Sequence, residues 1–117
     1  MTMEIKKNAE TTTIEVVGRI DTTTAPALEK AIQEDIGDAK NLILDLKAVQ
    51  YISSAGLRVL LGAQKKMQKV GFMKVVNVCE PVMEVFEMTG FADILTIEKS
   101  TPASLASFIH NTNRTMN

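Results

Sequence analysis

Asn41-Leu42-Ile43-Leu44-Asp45-Leu46 leads through a short connector to Tyr51-Ile52-Ser53-Ser54-Ala55-Gly56-Leu57, and the change of period across that join decides the fold. Leu42 to Leu46 is an apolar run with one acid, the pattern of a strand buried on both faces of a parallel sheet. From Leu57 onward, Leu57, Leu60, Leu61, Ala63, Met67 and Val70 gather on one side of a helical wheel, with Gln64 and Gln68 as imperfect members. Arg58, Lys65, Lys66 and Lys69 gather on the other side, as the wet face of an amphipathic helix. The spacing predicts strand, connector and long helix, the helix stopped by Gly71.

Two hydroxyls, Ser53 and Ser54, stand where that helix leaves its first backbone N–H groups unpaired. One reading is a helix cap, since a serine oxygen accepts from first-turn amides. The other is a modification site. A phosphate would add roughly −1.5 to −2 charge where the helix dipole and free amides favour an anion, so the fold could carry it.

Upstream, Met3, Ile5 and Lys7 alternate with Glu4 and Lys6, and Thr11 to Gly18 is rich in β-branched residues. Two strands joined by a short turn, an antiparallel hairpin, fit that pattern. Asp21 and three threonines, Thr22, Thr23 and Thr24, follow. An acid after a strand commonly stabilises a turn or a nearby helix start. Thr24 is a candidate N-cap and Pro26 falls in the first turn, where its missing N–H costs little. Leu28, Ala31, Ile32 and Ile36 then carry a helical spacing that ends at Gly37.

Downstream, Met73 to Val78 is strand-forming, and Glu80-Pro81 starts a helix that Gly90 ends. Val82, Met83, Val85, Phe86 and Met88 leave that helix few polar positions. Part of it is therefore either exposed for a partner or covered by Phe91, Ile94 and Leu95. Ile94 to Ile97 reads as a short edge strand. Thr101-Pro102 reads as the start of a last helix, with Leu105, Phe108 and Ile109 on one face. Residues 1–110 form one expected domain and 111–117 a polar C-terminal tail.

Thirteen basic and fourteen acidic side chains give a formal charge of −1, without the basic excess that nucleic acid or an anionic membrane would need. The start Met-Thr-Met-Glu-Ile has no basic segment followed by a long apolar run, and the apolar runs are far shorter than the roughly 20 residues that span a bilayer, so a cytoplasmic protein is expected. Cys79 is the single cysteine and reads as a small apolar residue at a strand end. Catalysis finds no constellation. His110 is the one histidine, at the expected end of a helix; zinc-ligand spacing and a Gly-rich phosphate loop are both missing. Glu80, Glu84 and Glu87 read as surface charge on a helix. The chain reads as a substrate and a binding module, not an enzyme, with no cofactor and no metal.

Gly18-Arg19-Ile20-Asp21, then Thr24-Ala25-Pro26, Leu44-Asp45-Leu46, and Tyr51 to Leu61 together resemble the STAS domain of bacterial anti-sigma factor antagonists, in order and in spacing. The resemblance implies an α/β single domain: a mixed central sheet of four to five strands, with an N-terminal antiparallel hairpin plus parallel strands, and about four helices. It also implies that an anti-sigma factor, itself a serine kinase supplying ATP and Mg, phosphorylates the serine two residues before the glycine, which is Ser54. The family often has aspartate just before that serine and a second serine just after it. Here those positions hold Ser53 and Ala55, so Ser53 is an alternative acceptor and Asp21 the acid expected near the site. The expected partner surface is Asp21, Thr22, Thr23, Thr24, Ser53, Ser54, Gly56 and Leu57, joined by Arg58, one helical turn from Ser54, and by Met88 of the apolar helix. Binding would release a sigma factor, from a protein that is a monomer or weak dimer. The alternatives are a constitutive adaptor in a stressosome-like or transporter-associated complex, and a nucleotide or small-ligand-binding domain.

Overall fold

The computed structural model describes residues 1–99. The hairpin is β1 (Thr2–Asn8) and β2 (Thr11–Val17), followed by α1 (Ala25–Asp35), β3 (Asn41–Ala48), α2 (Ser54–Met67), β4 (Phe72–Val78) and α3 (Glu80–Thr89). A single 3-10 turn, Phe91–Asp93, leads to β5 (Ile97–Lys99). The five strands lie side by side in sequence order, β1 antiparallel to β2 and all later neighbours parallel.

Period-2 patterning sets the register. Ile5, Ile14, Leu44, Val75 and Ile97 are successive partners across the five strands, and the middle three are fully buried. A one-residue slip anywhere along that row would turn its apolar set to the opposite face. Above the row sit Leu28 and Ile32 of α1, Leu57, Leu60 and Met67 of α2, and Val82 and Phe86 of α3, all in one continuous core.

Strand order explains why that core has one layer of helices. When successive parallel strands always advance in the same direction across a sheet, right-handed crossovers put every connecting helix on the same face. The expectation that Leu42–Leu46 is buried on both faces is therefore corrected. Leu42, Leu44 and Leu46 are buried, whereas Asn41, Ile43 and Asp45 are only half-buried on the side away from the three helices.

Other expectations shift in detail. Three α-helices occur among the described residues. The fourth, expected from Thr101, lies outside them, as do Leu105, Phe108, Ile109, His110 and the tail. The edge strand begins at Ile97, because Phe91–Asp93 turns first and Leu95 drops into the core. α2 ends at Met67, ahead of Gly71, which leaves Val70 exposed. Gly71 serves the strand instead: a Cβ there would run into the Lys40 carbonyl oxygen. Gln64 joins the buried side of α2 and Gln68 stays exposed.

Candidate functional site

The carboxyl ends of β2 and β3 build the site. Their register shifts between Glu15 and Val17, where β3 carries one more residue than β2. Asp45 anchors that irregularity by accepting from the Lys47 amide (2.9 Å) and from the Asn77 side chain (3.1 Å), which ties the end of β3 to β4. Beyond the strands the two chains remain laced together. Gly18 N–H donates to the Ala48 carbonyl (3.1 Å), Ile20 N–H to Tyr51 (3.0 Å) and Ser53 N–H to Ile20 (2.8 Å). Ile20 and Ile52 form a parallel bridge and are buried.

α2 starts directly on this bridge. A Cβ at Gly56 would come within 2.6 Å of Ile20 Cγ2 and 2.7 Å of Ile52 Cγ1, so only glycine lets the first turn lie this close. Gly56 and Leu57, expected among the contact residues, are buried. They hold the helix start from beneath; full burial of a leucine side chain contributes roughly 1.5–3 kcal/mol.

The two serines divide the roles between them. Ser53 is the N-cap: its oxygen accepts from the Gly56 amide (3.3 Å), and its carbonyl accepts from Leu57 N–H (2.9 Å). Ser54, the first helical residue, is exposed, and its hydroxyl makes no hydrogen bond among the described residues. The cap and the free hydroxyl are thus different residues.

Asp21 organises the neighbouring loop. Its Oδ1 accepts from the Thr23 hydroxyl (2.7 Å) and from the amides of Thr23 (3.0 Å) and Thr24 (3.1 Å). Thr24 occupies the N-cap position of α1 but makes no side-chain cap bond; its hydroxyl donates to the Arg19 carbonyl (2.7 Å) and accepts from Asp21 N–H (2.8 Å). The expected threonine cap is thus corrected: Pro26 has no N–H to give, the Ala27 N–H goes to the Thr24 carbonyl, and the Thr24 hydroxyl is engaged by Arg19 and Asp21. The Thr23 hydroxyl, helped by those amides and opposed by partial desolvation, holds the Asp21 carboxyl at about 2, below its ordinary 3.8.

Thr22 and Arg58 line a groove of about 280 Å³ between the starts of α1 and α2, together with Ala25, Pro26, Glu29, Ala55 and Val59. Arg58 makes no ion pair among the described residues. Met88 is 86% exposed on α3 and does not line this groove. Two neighbours that the sequence did not single out complete the surface. Arg19 stacks over the Tyr51 ring, 4.3 Å from its centroid, with its Nε 3.6 Å from Asp21 Oδ2. Both lie within the motif segments quoted above, yet only the parallel pairing past β2 and β3 makes them neighbours.

Nothing in this arrangement is a metal site: no group of three or more His, Cys, Asp or Glu among the described residues could hold an ion. Cys79 is partly buried and donates its thiol hydrogen to the Val49 carbonyl (3.1 Å). No helix among the described residues is long and apolar enough to cross a membrane.

The family model for the STAS domain matches residues 2–103. The chain belongs to the STAS domain family. Among relatives of this STAS chain, the anti-sigma-B factor antagonist of Bacillus subtilis is 31% identical over 96 residues, covering 81% of this chain and 88% of that protein. BtrV of Bordetella bronchiseptica is 42% identical over 81 residues, 68% of this chain and 69% of that one. The crystal structure of an anti-sigma factor antagonist from Mycobacterium paratuberculosis superposes with a TM-score of 0.76 at 28% identity, covering 93% of both chains.

Proposed function

We propose that this STAS protein is a cytoplasmic anti-sigma factor antagonist whose binding is switched off by phosphorylation of Ser54. The observation that carries the reading is the division between the serines: Ser53 caps α2, which leaves the Ser54 hydroxyl exposed and unbonded beside the Asp21 loop. The relatives named for anti-sigma factor antagonism support the partner class.

Unphosphorylated, the chain docks on an anti-sigma factor through the Asp21–Thr24 loop, Ser54 and the wall of the groove at Arg58, displacing a sigma factor. The partner, acting as a serine kinase with its own ATP and Mg, transfers phosphate to Ser54. That group brings roughly −1.5 to −2 charge into a close interface, where desolvation and any facing acid oppose it. The fold tolerates the same charge, since the amides of Ser54 and Ala55 at the helix start have no acceptor among the described residues.

The test pairs Ser54→Asp with the unaltered chain in binding to the purified anti-sigma factor. Weakened binding with an unchanged circular dichroism spectrum is expected. Equal binding by the two would remove the switch.

A further inference from the structure

We infer that the Arg19 guanidinium, stacked on Tyr51 beside the Asp21 loop, is the receptor for a carboxylate side chain of the docked partner protein. This deepens the docking reading above and rests on it. The guanidinium is already held on two sides. Its Cζ lies over the Tyr51 ring, 4.3 Å from the centroid, and its Nε faces Asp21 Oδ2 at 3.6 Å. The two terminal nitrogens donate no hydrogen bond among the described residues, and the side chain is 66% exposed. What remains is a planar fork, oriented in advance, with the geometry that takes a carboxylate through two parallel hydrogen bonds.

The surroundings fit a protein side chain. The fork lines a depression of about 490 Å³ whose other walls are Gly18, Ala48, Gln50 and Tyr51, none of them acidic. Ala48, with only a methyl group, leaves room for an incoming side chain. Val17, the register partner of Ala48, and Tyr51 are half-exposed and offer apolar contact around it. Arginine and tyrosine are the residue types that most often anchor protein interfaces. Charge favours a carboxylate over a phosphate here. Asp21 already offsets the guanidinium charge, so an incoming carboxylate leaves a net charge of −1 around the fork and a phosphate group a net of roughly −1.5 to −2; the smaller excess favours the carboxylate.

The experiment is a set of binding isotherms with the purified anti-sigma factor, for the unphosphorylated chain and for R19E, R19K and S54D, at low and high salt. R19E is expected to weaken binding about 30-fold at low salt, in line with the truncation of a hydrogen-bonded interfacial charge pair. The deficit should narrow at high salt. R19K, which keeps the charge and loses the fork, should fall between R19E and the unaltered chain. All variants should unfold cooperatively, with R19E a few degrees below the unaltered chain for loss of the Tyr51 and Asp21 contacts. If S54D weakens binding and R19E does not, the carboxylate receptor is overturned while the docking reading stands. An R19E deficit that is indifferent to salt also overturns it. If S54D and R19E both bind like the unaltered chain, the docking reading falls, and the receptor with it.

Discussion

Ser53→Ala and Ser54→Ala should have opposite consequences although the residues are adjacent. Ser53→Ala removes the oxygen that receives the Gly56 amide. Loss of a serine cap costs about 0.5–2 kcal/mol, and the 3.3 Å length of this bond places it in the lower half, about 0.5–1 kcal/mol. With an unfolding entropy of about 2.1 cal/mol/K per residue, the 117-residue chain changes its Tm by about 4 °C per kcal/mol, so a fall of about 2–4 °C is expected. Ser54→Ala removes an exposed hydroxyl that bonds nothing among the described residues and should stay within about 0.5 kcal/mol of the original stability. Incubation with kinase and MgATP, followed by phosphopeptide mass spectrometry, should reverse the ranking. Ser53→Ala still accepts phosphate, and Ser54→Ala does not. Phosphate found on Ser53 in the unaltered chain, or a Tm that falls for Ser54→Ala and not for Ser53→Ala, would refute the division of roles.

Two further outcomes follow from the same geometry. Gly56→Ala drives a methyl against Ile20 and Ile52, and overpacking of this kind costs about 1–3 kcal/mol; urea unfolding should show the loss, and repacking without loss would mean that the bridge yields. Asp21 is depressed from 3.8 to about 2 in the folded chain, so its contribution to stability is complete above about pH 4 and is lost as pH falls through about 2. Unfolding midpoints of the unaltered chain and Asp21→Asn should therefore differ at neutral pH and converge near pH 2; a constant gap would show that the carboxylate charge is not what the threonine loop stabilises.

The alternation of Met3 and Ile5, the apolar Leu42–Leu46 run and the helical spacing from Leu57 were enough to read the hairpin, the alternation of strands and helices and the single domain. These are local periodicities, and local periodicity is what side-chain burial on one face of an element imposes. The same patterns could not say that the three helices share one face. That depends on strand order, and for this reason the strand expected to be buried on both faces leaves Ile43 and Asp45 only half-buried. Motif order pointed to Ser54 and Asp21, but residue type alone left cap and acceptor undecided between two identical side chains.

Composition and spacing determined the type of the main described elements and which hydroxyls were candidates. Only the tertiary structure decided that Ser53 bonds the helix amide, that Asp21 stands beside it and that Arg19 meets Tyr51. Those three facts depend on the β2–β3 pairing continuing past the strand ends through Ile20 and Ile52. Hydrogen bonds between segments distant in the chain leave no trace in the period of either one.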